Sequence, residues 1–149
     1  MRKPGAVSPS AFRATANDFD LARTAIAEVH QRVPVDEQAL AAFLASSACY
    51  LFVSAVAGEV VGSLNGYSLL SPGKRQPQFL LYELDVKKQW RRRGFGAALV
   101  NAFVSEARAS GASEVWVLTN DSNEAATAVY RRCGFSRRNQ DDVMFSIVL

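Results

Sequence analysis

Residues 79–120 limit what this chain can fold into more tightly than any other part of it. The run FLLYELDV (79–86) is rich in β-forming residues. In strand periodicity Leu80, Tyr82, Leu84 and Val86 face one way, and Phe79, Leu81, Glu83 and Asp85 face the other. Both faces are largely apolar, as in a central strand covered on both sides, and two carboxylates near its end interrupt the pattern. The polar stretch QWRRRG (89–94) follows. Then Phe95, Ala98, Leu99, Ala102, Phe103 and Ala107 recur at helical spacing and define an amphipathic helix that Gly111 closes. EVWVLTN (114–120) reads as a second buried strand. Strand, helix and strand in that order make a βαβ unit, with parallel strands and a right-handed crossover.

The remainder fits around this unit. AFRATA (11–16) reads as a short strand, and DFDLARTAIAEVHQ (18–31) as a helix capped by Asp18, with Leu21, Ala25, Ile26 and Val29 on one face. VDEQALAAFLASS (35–47) is a second helix with Asp36 near its start. Residues 49–70 form a hairpin turning around Ala57, Gly58 and Glu59, and SPGKRQPQ (71–78) is a loop. NEAATAVYRRCG (123–134) is a helix between Asn123 and Gly134, after which FSRR and VMFSIVL close the chain as strands. The expected fold is a mixed α/β sheet with helices on both faces. At 149 residues the chain fits one domain, 11–149, behind a flexible leader, 1–10, that has no apolar stretch of the secretory kind.

No apolar run approaches the roughly 20 residues that cross a bilayer. A formal charge of +3 is too small to imply nucleic acid as a partner. Cys49 and Cys133 match no metal or redox spacing and read as small buried thiols in a reducing cytoplasm. No metal is expected. His30, the one histidine, falls at the end of an early helix and reads as a solvated surface residue.

The arginine-glycine stretch carries chemistry. Gly94 and Gly96 sit where a strand hands over to a helix, and the unpaired N–H groups of a first helical turn favour an anion there, phosphate above all. Glycine lets such a group approach the backbone, and Arg91, Arg92 and Arg93 add cationic donors. The P-loop pattern is absent, and Leu99 stands where a dinucleotide fingerprint needs a third glycine. One short basic cluster is also too narrow for a nucleic-acid surface. The plain alternative is a solvated charged turn.

Two patterns in order resolve that choice. R-x-x-G-x-G at Arg91, Gly94 and Gly96 resembles the acetyl-CoA loop of the GNAT N-acetyltransferases. NEAATAVYRRCGF resembles that superfamily's second signature at Asn123, Ala126, Tyr130, Gly134 and Phe135. Asn123 and Tyr130 lie about two helical turns apart and share a face, with Ala126 leaving room between them. The resemblance is clearest over 79–149. It implies a mixed, mostly antiparallel sheet with a central parallel strand pair that splays apart, and acetyl-CoA as co-substrate. The backbone of Leu84, Asp85 and Val86 would pair with the pantetheine. The amides of Arg91, Arg92, Arg93, Gly94, Phe95, Gly96 and Ala97 would hold the pyrophosphate, and Tyr130 would act as general acid.

Direct transfer to an amine also needs a base. Glu83 and Asp85 share a face at the strand end, where burial and mutual repulsion raise carboxyl pKa values. Glu83 is the expected base, with Asp85 helping to bind a cationic substrate; the competing reading pairs one of them with an arginine. Within the superfamily the segments around the site are most similar to the small aminoglycoside 3-N-acetyltransferases. A polycationic sugar would want an acidic cleft, for which Glu83, Asp85, Asp121, Asp141 and Asp142 are candidates. Another small amine, a polyamine, a peptide N-terminus, or an acyl-CoA sensor that does not turn over are the alternatives. The apolar strand VMFSIVL needs covering and points to a homodimer.

Overall fold

The computed structural model describes residues 7–149; the first six residues of the expected leader lie outside the described residues. Five strands form one open sheet in the order β1-β2-β3-β4-β5. They are β1 (Phe12–Ala14), β2 (Cys49–Val56), β3 (Glu59–Ser71), β4 (Lys74–Val86) and β5 (Glu114–Val117). The first four are antiparallel neighbours, while β4 and β5 run parallel from Gln78↔Glu114 to Leu81↔Val117. Helix α1 (Phe19–Thr24) continues into a π-helical turn, Ala25–Val29, and is followed by α2 (Glu37–Ala45), α3 (Phe95–Ala109) and α4 (Glu124–Arg132). The βαβ unit is therefore β4-α3-β5. No helix among the described residues is long and apolar enough to cross a membrane.

Alternation along β2 and β3 divides the interior in two. Tyr50, Phe52, Val61 and Leu64 pack with Phe95, Leu99, Val100 and Phe103 of α3 and with Tyr130 of α4. Leu51, Val53 and Val60 face the other way and pack with Ala22, Ala25, Val29 and Leu40. Period-two side chains make this separation along β2; in β3 the register shift opposite Ser54 and Ala55 skips Val61 and so lets Val61 and Leu64, three residues apart, share a side.

One irregularity in β4 changes the expected facing. Asn65 pairs with Glu83 and Gly66 with Leu81, so Tyr82 is an extra residue, a bulge. Phe79 and Leu81 therefore share the α3 side with Leu84 and Val86, and not with Glu83 and Asp85 as simple alternation has it. Gly66 sits against this bulge, where its missing side chain is required. A Cβ there would lie 2.5 Å from the Leu80 carbonyl oxygen and 2.5 Å from Cζ of Phe103.

Four sequence expectations need correction. Residues 74–78 are not loop: β3 and β4 extend as a two-stranded ribbon around Pro72 and Gly73, and their exposed side chains leave no apolar alternation to read. Pro77, lacking an N–H, falls within the register irregularity between Leu69 and Ser71. β5 is half-buried, not buried, and stops at Val117 at the edge of the sheet. The segments FSRR and VMFSIVL form no strand; Val143, Met144, Phe145, Ile147, Val148 and Leu149 are all at least 75% exposed. Strand-forming side chains do not make a strand without a neighbouring one to pair with. Finally, Asp18 closes a capping box with Thr15 ahead of α1, its carboxylate accepting from the Thr15 N–H at 2.8 Å, and makes no side-chain cap to α1 itself.

Candidate functional site

The site lies around the last residues of β4. The β4/β5 ladder ends at Leu81↔Val117, yet β4 continues to Val86. Residues 82–86 thus run on with no strand beside them on that side among the described residues. Lys87 N–H bonds to the Val61 carbonyl of β3 at 2.8 Å, so ladder alternation turns the backbone groups of Leu84 and Val86 toward the open side. Those of Val86 are already engaged: its N–H donates to Oδ1 of Asp85 at 2.8 Å, and its carbonyl accepts from Nε of Arg91 at 2.8 Å. Leu84 keeps its pair toward the gap. Of the three residues expected to present backbone to a ligand, Leu84 is the one this geometry frees.

Beyond Val86 a short 3-10 turn, Lys88–Trp90, leads into the arginine-glycine loop. Arg91 is anchored, with a second bond from Nη2 to Oδ1 of Asp85 at 3.1 Å. Arg93 lies over the Trp90 ring at 5.0 Å, and Trp90 stands edge-on to Phe95. Arg92 and Gly94 both adopt left-handed backbone, with φ of 62° and 91°. Such turns point successive N–H groups into one concavity, a backbone shape that binds anions. Helix α3 follows, opened by a backbone bond from Ala98 N–H to the Gly94 carbonyl at 3.0 Å. By helical geometry the N–H groups of Phe95, Gly96 and Ala97 precede any intrahelical partner.

The two glycines do different work. Gly94 supplies the left-handed residue before the helix. A Cβ on Gly96 would instead point at Val129 of α4, 3.6 Å away, so this glycine faces the helix packing and not the anion cradle. Asn123 caps α4, its Oδ1 accepting from Ala126 N–H at 3.1 Å. Tyr130 is buried against Phe135, and burial pushes its phenol above the ordinary value, so it holds its proton at neutral pH. The Cys133 thiol is likewise pushed up by burial, opposed by the nearby Arg132. That is an inert, protonated thiol.

A cavity of about 320 Å³ opens on the other side of β4. Ile26, Val35, Leu40, Phe43, Leu51, Tyr67 and Tyr82 give it an apolar wall, and Glu83 and Asn65 stand at one end with Arg32. Phe43, Tyr67 and Tyr82 form a chain of edge-to-face rings with centroid spacings of 5.8 and 5.6 Å. Glu83 accepts from both guanidinium nitrogens of Arg32, the Nη1–Oε2 distance being 3.0 Å, and from Nδ2 of Asn65 at 2.7 Å. Burial drives the Glu83 carboxyl upward, but the bonds from Arg32 and Asn65 and the nearby His30 outweigh it, leaving Glu83 below the usual carboxylate value. The expected upward shift is therefore reversed for Glu83, because a guanidinium occupies it. Both carboxylates on this face are paired with an arginine, Asp85 with Arg91.

His30 is not a surface residue. Its side chain is 5% exposed, with Nδ1 4.0 Å from Oε2 of Glu83 and Nε2 buried without a partner among the described residues. Desolvation lowers its pKa; Arg32 lowers it further, while Glu83 and Asp85 raise it. The π-helical turn brings it inward: His30 N–H reaches back to the Ala25 carbonyl and Arg32 N–H to that of Ile26. The available sequence signal was its position four residues after Ile26, on the helix's apolar face. Nothing in the sequence marked Arg32, Asn65 or Tyr67.

The expected acidic cleft is not assembled. Of Glu83, Asp85, Asp121, Asp141 and Asp142, Glu83 alone lines the cavity. Asp121 pairs with Arg137 at 2.8 Å, and Asp141 and Asp142 are exposed on the C-terminal segment.

The profile of the acetyltransferase (GNAT) family matches residues 15–135. The chain belongs to this family. Its sheet, with the antiparallel strands and one parallel pair whose ladder ends at Leu81↔Val117, is the GNAT fold. Among curated GNAT-related proteins it is 31% identical over 98 residues to "N-acetyltransferase family 8 member 3" of Mus musculus, a match covering 66% of this chain. The chain spans under half the length of that relative, 43%. Among solved structures it resembles an aminoglycoside acetyltransferase, meta-AAC0020 from an uncultured soil metagenomic sample, in complex with sisomicin. The TM-score is 0.84 and the identity 25%, covering 94% of this chain and 95% of that one. The fold is also that of AAC(6')-Iy in complex with the bisubstrate analogue CoA-S-monomethyl-acetylneamine, with a TM-score of 0.78 and 17% identity over 96% and 99% of the two chains.

Proposed function

We propose that this chain moves an acetyl group from acetyl-CoA directly to a primary amine. One observation carries the reading: residues 82–86 border both the gap beside the anion-binding loop and, through Tyr82 and Glu83, the cavity on the opposite side. A thioester lying in the gap would thus meet an amine emerging from the cavity. The loop from Arg91 to Ala97 fits a pyrophosphate, with unpaired N–H groups at a helix start and cationic side chains around them. Leu84 offers an extended amide-bearing arm one free donor and one free acceptor.

In this reading Glu83 is ionised at neutral pH and receives the ammonium proton, directly or through water, once Arg32 has yielded to the substrate. Tyr130, still protonated, supplies a proton near the leaving sulfur. The acceptor is a small amine. An aminoglycoside is one such acceptor, supported by the likeness to the soil aminoglycoside acetyltransferase, but of the cavity's two carboxylates, Glu83 and Asp36, Asp36 is taken up in capping α2. The test is thiol release from acetyl-CoA with gentamicin, spermidine, amino acids and peptides with free N-termini. Tyr130→Phe and Glu83→Gln are each expected to lower kcat about a hundredfold or more. Coenzyme A binding with no transfer to any amine would reject the enzyme reading in favour of a sensor.

We also propose a homodimer. The tail 143–149 exposes six large apolar side chains, and among the described residues β5 has an unpaired edge beside a groove of about 420 Å³ lined by Val104, Ala107, Val115 and Phe135 together with the charged Arg108, Glu114 and Arg138. A partner's tail added along β5 would cover both.

A further inference from the structure

The cavity beside Glu83 has two chemically distinct ends. One is a wall of aliphatic and aromatic side chains, including Phe43, Tyr67 and Tyr82. The other is a contact ion pair, Arg32 on Glu83. The cavity's second carboxylate, Asp36, is committed to α2, its Oδ1 accepting from Ala39 N–H at 2.9 Å. Asn65 fixes Glu83 from the buried side. Arg32 is different: its side chain is 56% exposed, so it can turn while its backbone stays tied to Ile26.

A ligand entering here must replace what Arg32 gives Glu83 and satisfy what Glu83 gives Arg32. A polycation does the first and leaves a guanidinium displaced beside further positive charge. A neutral amine with no acid likewise strands Arg32. A molecule bearing an ammonium and a carboxylate one carbon apart exchanges charge for charge: its ammonium takes Glu83 and its carboxylate takes the fork of Arg32. Its side chain then falls toward the apolar wall. At about 320 Å³ the space is at the low end for a small-molecule pocket, enough to seat one ring against the apolar wall.

We infer that the preferred acceptor is a free α-amino acid with a large apolar side chain, held by Glu83 at its ammonium and by Arg32 at its carboxylate. This rests on the acetyl transfer proposed above. In the reaction the ammonium gives one proton to Glu83, and the amine nitrogen bonds to the acetyl carbon. The carbon–sulfur bond breaks with its electron pair on sulfur, Tyr130 protonates the thiolate, the second nitrogen proton restores the Tyr130 phenol, and Glu83 passes its proton to solvent. The products are an N-acetyl amino acid, coenzyme A thiol and one proton released to solvent.

The experiment measures kcat/KM for L-phenylalanine, phenethylamine, L-alanine and gentamicin with acetyl-CoA, confirming products by mass. L-phenylalanine is expected to exceed phenethylamine, which lacks the carboxylate, and L-alanine, which lacks the ring, by about tenfold or more each. Arg32→Gln is expected to collapse the phenylalanine-to-phenethylamine ratio, and Arg32→Lys, keeping charge without the fork, to restore part of it. Circular dichroism confirms that both variants are folded. Gentamicin or phenethylamine turned over as well as L-phenylalanine would overturn the inference while leaving the acetyl transfer standing. A ratio unchanged in Arg32→Gln would overturn the role of Arg32. No transfer to any of these or to the wider amine panel, with coenzyme A bound, would remove the acetyl-transfer reading and the inference together.

Discussion

Alanine at position 66 would place a methyl group where the structure has no room. The added Cβ lies 2.5 Å from the Leu80 carbonyl oxygen and 2.5 and 2.8 Å from Cζ and Cε2 of Phe103. The ring cannot simply step aside, because Phe103 is fully buried and packs against Tyr50, Phe52 and Phe79 at centroid distances of 6.3, 6.1 and 5.5 Å. The oxygen belongs to backbone between two buried residues, Phe79 and Leu81. Overpacking of this kind costs about 1–3 kcal/mol, and contact with backbone puts Gly66→Ala in the upper half of that range. For a domain of this size about 2–3 kcal/mol lowers Tm by roughly 4–12 °C. Urea unfolding should show a lower midpoint with unchanged slope, which isolates stability from a change in the unfolded chain. The control is Gly73→Ala, where a Cβ meets nothing within 4 Å and stability should stay within about 0.5 kcal/mol of wild type. Because Gly66 adjoins the bulge that turns Glu83 toward the cavity, acetyl transfer should fall further than the loss of folded protein explains. A Gly66→Ala protein as stable as the control would refute the packing argument. Normal activity in a destabilised one would refute the link between bulge and base.

Three other outcomes follow from the geometry. His30 is the chain's one histidine, so its ring resonances give an unobscured NMR titration whose midpoint should lie below 6.5. The folded ring stays neutral while the unfolded one binds a proton, so its contribution to stability is complete above about 6.5 and is lost as pH falls toward the folded midpoint. A midpoint at or above that value would contradict the burial. Gly94→Ala should cost about 1–3 kcal/mol in chemical denaturation, because φ is 91° and Cγ of Pro9 lies 3.1 Å from the new Cβ. Gly96→Ala meets ordinary contacts and should change stability by no more than about 0.5 kcal/mol; equal losses at both positions would refute the distinction. Deleting 143–149 should turn a dimer of the 16.2 kDa chain into a species of single-chain mass by gel filtration with light scattering. A monomer before deletion would sink the proposed pairing.

The half of the site built by neighbouring residues was legible in the sequence. The βαβ unit, the arginine-glycine turn and the α4 signature are local patterns, and Gly94, Asn123 and Tyr130 stand where spacing put them. The cavity was not legible, because it joins the π-helical turn after α1, α2, β2, β3 and β4, which only tertiary packing brings together. Strict alternation failed at Tyr82, since a bulge leaves no mark in composition. It still placed Glu83 and Asp85 on one face, as both follow the bulge. The acidic residues were countable but not locatable: Asp121 went to Arg137, and Glu83 found Arg32, fifty-one positions away in the chain.

The division of the interior by the sheet bears on how such a protein changes its diet. Residues shaping the cavity, among them Leu40, Leu51 and the flanking Ile26 and Phe43, draw on one core. Those beneath the arginine-glycine turn, Val86, Phe95 and Leu99, draw on the other. Under the proposed function, a new acceptor could therefore be learned by revising the π-helical turn and α2 while the residues around the arginine-glycine turn go on unrevised.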